Sequence, residues 1–177
     1  MLDYGCGTGW AGLIAAKSGC ADVTAVDVCA GPVETTKVYA KICGVDANMH
    51  ISCVSTDWLG SVETGVYDGF ICSNVLDVIP DETAEEIIKE TARVTAPGAK
   101  VIFSFNFYIS PETAKEKGME LVDGRKLYED GVLRLNSHSD KEWEEKFAPY
   151  FEVEKLEYFA WPGEQRESRR LFYLRKR

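Results

Sequence analysis

Apolar and polar positions follow two rhythms along this chain. Short β-branched runs recur, and between them lie stretches whose apolar residues return every three or four positions. Met1 to Tyr4 is a short extended piece. Trp10 to Ser18, rich in Ala, Leu and Ile, predicts a helix. DVTAV, residues 22–26, predicts a strand. Pro32 to Cys43 predicts a second helix, with Pro32 suited to its first turn and Gly44 to the position after its end. Met49 to Val54 and YDGFICS, residues 67–73, predict two more strands. Asp81 is placed to cap a helix running from Glu82 to about Thr95. Its apolar positions Ala84, Ile87, Ile88, Thr91 and Ala92 fall at helical spacing, and Ala96-Pro97-Gly98 stops it. KVIFSF, residues 100–105, is a continuously apolar fifth strand.

Strands alternating with helices predict βαβ units and a largely parallel sheet covered on both faces. After Asn106 the rhythm changes. Asp130-Gly131 stands between two strand-like runs in KLYEDGVLRL, residues 126–135, a strong hairpin signal. Asp140 to Pro149 predicts a helix with Ser139 as its cap. Phe151 to Trp161 and Arg170 to Arg175 predict a terminal antiparallel pair joined through Pro162-Gly163. No repeat, low-complexity segment or linker is visible. The simplest organisation is one domain over 1–177, with a ligand-binding half over 1–107 and a second half over 108–177.

Composition narrows the functional classes. No apolar run approaches the roughly 20 residues that span a bilayer, and no basic, apolar leader is visible. Net charge is −9, which disfavours nucleic acid as a partner, because such binding leans on phosphate neutralisation. The charge is uneven. Glu164 to Arg177 holds six basic and two acidic side chains, net +4, leaving −13 elsewhere. That stretch reads as an edge strand guarded by charge or as a patch for an acidic ligand. The six cysteines form no C-x-x-C pair and only two histidines are present, so no metal site is expected. The cysteines read as reduced thiols in a cytoplasmic protein. Cys6 lies inside a glycine loop, where it is either a small loop residue or a reactive thiol.

That loop, LDYGCGTGW over residues 2–10, is the most informative stretch. Gly5, Gly7 and Gly9 fill the turn between the first strand and the first helix. They allow positive φ and let a ligand approach the backbone. The helix that follows offers free N–H groups and a positive dipole end. Two frames fit. G-x-G-x-x-G at Gly7, Gly9 and Gly12, with Asp27 as distant ribose acceptor, is the dinucleotide fingerprint. D-x-G-x-G-x-G at Asp3, Gly5, Gly7 and Gly9 starts its turn where the strand ends. The second is preferred, since the first leaves almost no strand. It also accounts for Asp3, whose carboxylate repels a pyrophosphate and attracts an ammonium group. No G-K-[ST] follows, which excludes a P-loop.

LDYGCGTGWAGL resembles motif I of the class I S-adenosylmethionine-dependent methyltransferases. VTAVDV is similar to the family's second strand, whose final acidic residue, here Asp27, binds the ribose hydroxyls. VSTDWL is similar to the loop after strand three, where Asp57 and Trp58 would meet the adenine, with Val28 also over its face. YDGFICSNVLDVIPDE and VTAPGAKVIFS match strands four and five. The resemblance implies a Rossmann-like α/β fold of seven mostly parallel strands in the order 3-2-1-4-5-7-6, with an inserted hairpin after strand five. It implies S-adenosylmethionine as cofactor. Asp3, Gly5, Cys6, Gly7 and Gly9 would surround its methionine end, with backbone carbonyls of Ser73 and Asn74 near the ammonium.

The implied reaction is in-line attack on the sulfonium methyl, for which positioning and exclusion of water matter most. A base is needed only if the nucleophile must lose a proton. His138 and Asp77 are the candidates, with Tyr108 and Asn106 nearby and His50 structural. Ser73-Asn74-Val75-Leu76 departs from the N/D-P-P-Y motif of DNA amino-methylating enzymes. The stretch from Tyr108 to His138, including Tyr128 and Leu133, would form much of the acceptor site. A small molecule is the first expectation for the acceptor, and a protein or RNA side chain the alternative. A non-catalytic binding module and a nicotinamide-dependent oxidoreductase are the rival readings. The family carries a helical segment before motif I and more of strand one. The short lead here implies a shortened start or a covering partner chain, with weak cofactor binding or marginal stability for these 177 residues alone.

Overall fold

The structure is a computed structural model that describes residues 1–177. β1 (Leu2–Tyr4), β2 (Val23–Asp27), β3 (Met49–Cys53), β4 (Tyr67–Ser73) and β5 (Thr95–Phe105) lie parallel to one another. Between them run α1 (Trp10–Lys17), α2 (Ala30–Cys43), α3 (Trp58–Ser61) and α4 (Asp81–Val94). After β5 come α5 (Pro111–Glu116), the hairpin of β6 (Lys126–Glu129) and β7 (Val132–Asn136), and α6 (Asp140–Phe147). β8 (Phe151–Phe159) and β9 (Arg169–Lys176) complete the large sheet, with β9 antiparallel to both β5 and β8. The sheet order is β3-β2-β1-β4-β5-β9-β8, and β6-β7 form a separate two-stranded sheet. With the hairpin set aside, this is the expected 3-2-1-4-5-7-6.

The pairing register sorts side chains onto two faces. Leu2, Phe70, Val101 and Leu174 form one row across four strands, and all four are buried in the main core. The next row, Asp3, Ile71, Ile102 and Tyr173, points to the opposite face, where Asp3 meets α1. On the first face Phe105 stacks on Trp143 of α6 at 4.2 Å between ring centres, and Phe103 on Phe147 at 5.1 Å. These rings, with Phe172, bury large apolar areas and fix α6 against the sheet. On the second face Leu13, Ala16, Ala40 and Met49 make a smaller core between α1, α2 and the β2 side.

Local signals behave largely as expected. Gly44 ends α2 at φ 68°. Ser139 and Glu142 form a reciprocal capping box on α6. Asp130 and Gly131, at φ 52° and 76°, turn the hairpin. Three expectations are corrected. Asp81 is not a cap: it is the first residue of α4, after Pro80, and its carboxylate is taken by His138 and Arg125. β5 starts at Thr95 rather than Lys100, because Thr95 already pairs with Tyr67 before a register shift. The basic terminal stretch is no edge strand, since β9 lies between β5 and β8. Its Arg169 pairs with Glu164, Arg170 with Asp140, and Arg175 with Glu152 and Glu154. No helix is long and apolar enough to cross a membrane.

Candidate functional site

The glycine loop joins β1 to α1 at the carboxyl end of the sheet, and its three glycines serve three purposes. Gly5 has φ 69°, and a Cβ there would lie 2.5 Å from Val75 Cγ2. Only a bare residue lets the loop meet the segment after β4. Gly7 has φ 53° and open space where its side chain would be. Gly9 has φ 82°, and a Cβ there would lie 2.3 Å from Thr36 Cγ2. It admits α1 against α2, a packing role that the sequence did not show. Gly12 is bare for a similar reason, its absent Cβ being 3.0 Å from Asp3 Oδ2 and 3.1 Å from Met49 Cε.

Most loop amides are already engaged. Gly5 and Cys6 N–H donate to Val26 O, and Gly9 N–H to Cys6 O. Gly7 N–H donates to Asp27 Oδ2 at 2.8 Å. The loop is therefore a tied scaffold rather than a nest of bare donors. The amides of Thr8, Trp10 and Ala11 remain without a protein acceptor.

Two aspartates hold this scaffold. Asp3 is 1% exposed, and its Oδ2 accepts the Gly12 N–H at 2.8 Å. Burial pushes its carboxyl up to about 6, against the pull of the Gly12 N–H, and the nearby Asp27 charge adds to the rise. Asp27 closes β2. Its Oδ2 takes Gly7 and its Oδ1 takes the Cys29 N–H at 2.9 Å. The residue before α2 is Cys29, so Asp27 is not that helix's cap. Each Asp27 oxygen keeps a second lone pair free to accept from a ligand.

A cleft of about 200 Å³ opens beside Asp27. Gly5, Val28, Val54, Val75, Ile79, Thr83 and Ile87 line it, together with Tyr4, Val26 and Thr56. A neighbouring hollow of about 500 Å³ shares Tyr4, Thr56, Thr83 and Ile87 and adds Asp57. The sequence reading missed the far wall. Val75, Ile79, Thr83 and Ile87 stand four residues apart, a spacing that could have revealed it. Ile87 belongs to this wall and only borders the core, whereas Ala84, Ile88 and Ala92 are fully core.

The other expected site residues are dispersed. Cys6 turns into the α1 and α2 core, and burial first, then the charges of Asp3 and Asp27, push its thiol up to about 12. It is a packing residue, not a reactive one. Asp57 is exposed, and the Ser55 hydroxyl holds its carboxyl below the usual range. Trp58 packs against the main core and lines neither hollow. Ser73 ends β4, and Asn74 follows at φ 56°. The Asn74 N–H donates to Ser104 O at 2.8 Å, so the chain turns sharply at the sheet's rim.

Both base candidates are buried and already paired. Asp77 is fully buried, its Oδ2 accepting the Asn106 backbone N–H at 2.7 Å and the Asn106 side-chain amide at 3.0 Å. Burial raises its carboxyl, with Asn106 opposing. His138 is 2% exposed, with Nε2 2.6 Å from Asp81 Oδ1 and its ring edge-on to Trp143. His50 lies on the surface near Asp22.

The donor set fits a nucleoside with a charged amino-acid tail. An apolar slot suits a flat ring, a carboxylate with spare lone pairs suits a diol, and free N–H groups at the start of α1 suit a carboxylate. Comparison with known proteins points the same way. Residues 1–98 match the family model described as Methyltransferase domain. A ubiquinone biosynthesis O-methyltransferase of Xanthomonas oryzae pv. oryzae is 33% identical over 104 residues, 59% of this chain and 41% of that protein. The chain thus spans about two fifths of the length of the curated relatives it matches. The PH0226 protein of Pyrococcus horikoshii OT3 superposes with a TM-score of 0.76 at 20% identity, covering 99% of this chain and 81% of that one. The N-methyltransferase NodS of Bradyrhizobium japonicum WM9, in complex with S-adenosyl-L-homocysteine, gives 0.69 at 14% identity, covering 99% and 76%. These two likenesses show the fold. With the family model covering more than half of its length, the chain belongs to the methyltransferase domain family, the class I S-adenosylmethionine-dependent methyltransferases.

Proposed function

We propose that this chain binds S-adenosylmethionine in the cleft beside Asp27 and directs its methyl group to a hydroxyl of a small-molecule acceptor. The observation that carries the reading is the convergence of Asp27, the tied glycine loop and the apolar cleft at one rim of the sheet. Open parallel sheets bind ligands at this rim. When bound, S-adenosylmethionine supplies a methyl on a positively charged sulfur, already activated for in-line displacement.

The chain's own residues bind, orient and exclude water. Asp27 accepts from the two ribose hydroxyls with the lone pairs that Gly7 and Cys29 leave free. Val28 and Val54 on the β2 and β3 side, with Val75, Ile79 and Ile87 from beyond β4, hold the adenine. Thr8, Trp10 and Ala11 N–H groups take the methionine carboxylate. Asp3 lies beneath the loop and offers the ammonium group a favourable field rather than direct contact. With Asp77 engaged by Asn106 and His138 by Asp81, neither is assigned as proton acceptor. The hydroxyl acceptor follows the O-methyltransferase names of the curated relatives. The hairpin side, where Tyr108 and Tyr128 stand exposed, is the acceptor side.

Calorimetric titration with S-adenosylhomocysteine tests this. The wild-type chain is expected to bind it, and Asp27→Ala to bind roughly 30- to 900-fold more weakly, as expected for two lost charge-assisted hydrogen bonds of about 1–2 kcal/mol each. Equal affinity in Asp27→Ala, or binding of NADH in place of S-adenosylhomocysteine, would overturn the reading.

A further inference from the structure

The two feet of the β6–β7 hairpin are gathered onto one carboxylate. Arg125 immediately precedes β6, and His138 follows two residues after β7. Ser137 N–H donates to Arg125 O at 3.0 Å and closes the base of the hairpin. His138 Nε2 lies 2.6 Å from Asp81 Oδ1, and Arg125 Nη2 donates to Asp81 Oδ2 at 2.9 Å. Lys146 of α6 stands 3.8 Å from the same Oδ1 and also pairs with Glu85. The His138 side chain is 3% exposed, that of Asp81 16% and that of Arg125 38%, and a hollow of about 560 Å³ opens on all three, so His138 is enclosed while solvent reaches the Arg125 side of the junction.

The hairpin has two further fastenings at its foot and one small apolar patch. Ser137 Oγ accepts the Ile109 N–H at 2.8 Å and donates to Ile109 O at 3.0 Å, and Arg170 Nη1 donates to His138 O at 2.7 Å. The patch joins Ile109, Ala114 and Leu135, with Met119, Leu121 and Leu127 against them, and none of these contacts reaches the cleft-lining helix. Around β7 the contacts are polar and incompletely paired. Asp77 Oδ1, both polar atoms of the Asn136 side chain and Arg170 Nη2 are buried without a protein partner. A layer of this kind adheres weakly compared with a packed apolar one.

Asp81 also opens the helix that walls the cleft. Two residues on, Thr83 lines that cleft, and Ile87 lines it one turn later. One end of one rigid element therefore touches both the nucleoside cleft and the hairpin. We propose that Asp81 is a positioning residue that fixes the acceptor-side hairpin to the cleft-lining helix, so that filling the cleft steadies the hairpin. This rests on the reading of the cleft as an S-adenosylmethionine site and of the hairpin as the acceptor side. The coupling is reciprocal, so loosening the hairpin weakens binding in the cleft by no more than the factor gained.

Amide hydrogen exchange on the full chain, with and without saturating S-adenosylhomocysteine, tests the proposal. In the wild type the ligand is expected to slow exchange across residues 126–136 about fivefold or more. In Asp81→Asn, which keeps the shape and drops the charge, those amides should exchange faster without ligand. Their response to ligand should shrink below about twofold, while affinity falls by about fivefold at most. Arg125→Gln, which frees one foot, should fall between the two and serves if Asp81→Asn does not fold. Equal ligand protection of the hairpin in wild type and variants would overturn the proposal, as would bound ligand that leaves the wild-type hairpin unchanged. Failure of the wild type to bind S-adenosylhomocysteine would instead overturn the cofactor reading. The anchor is then judged on ligand-free exchange, and unchanged hairpin exchange in both variants would overturn it too.

Discussion

Asp3 carries a charge where the fold has little room for one. In the unfolded chain it titrates near 3.8, and in the fold near 6, chiefly because burial disfavours the carboxylate. A raised carboxyl takes up a proton on folding. Its contribution to stability is fully present below about pH 3.8 and is lost as the pH rises through about 6. Asp3→Asn retains an oxygen for the Gly12 N–H and removes the buried charge. It is expected to raise Tm by about 3–6 °C at about pH 8, with the gain vanishing toward about pH 4, as measured by scanning calorimetry. The same substitution removes the field offered to an ammonium group, so affinity for S-adenosylhomocysteine should fall as stability rises. The sequence made Asp3 conspicuous by its place before the glycines. It could not show that the carboxylate is shared with an amide nine residues away.

Elements whose ends are set by nearby residues were readable from the chain. Gly44 after α2, Ser139 with Glu142 on α6, and Asp130-Gly131 in the hairpin each act within a few residues. Elements set by distant partners were not. α3 and α5, at four and six residues, are too short to show a period. Asp81 was drawn from capping by Arg125 and His138, 44 and 57 residues away. The glycine loop shows the same division. All three glycines were visible, yet only the neighbouring helix reveals that Gly9 is bare for the sake of Thr36. Gly9→Ala forces a Cβ to 2.3 Å from Thr36 Cγ2 at positive φ, whereas Gly7→Ala meets only the backbone penalty. Urea unfolding should therefore show a loss of about 2–4 kcal/mol for Gly9→Ala and about 1–2 kcal/mol for Gly7→Ala. Equal losses would mean that α1 and α2 do not meet as described.

Across the whole molecule, the parallel sheet followed from alternating periods and its strand order from the family resemblance, and most of one cleft wall followed from neither. That wall combines residues from beyond β4 with α4, and its four-residue spacing from Val75 to Ile87 begins outside the helix, where a helical period is not looked for. The six cysteines give a global check on burial. Cys6 and Cys72 are enclosed with thiols pushed up by burial, whereas Cys29 and Cys53 are exposed, Cys53 Sγ lying 3.5 Å from Val28 O. Iodoacetamide at about pH 8 is expected to label Cys29 and Cys53 readily and to leave Cys6 and Cys72 unlabelled until the chain unfolds. S-adenosylhomocysteine should slow the first pair, as read by peptide mass mapping. The sheet order also bears on how the molecule is made. A ribosome delivers β8 before β9, yet β8 reaches the sheet only through β9. Until the last strand threads in beside β5, residues 151–159 have no seat, and the aromatic side of the sheet has no finished border. Assembly of the far half is thus a late step that joins distant parts of the chain, and such long-range closure is the slow kind.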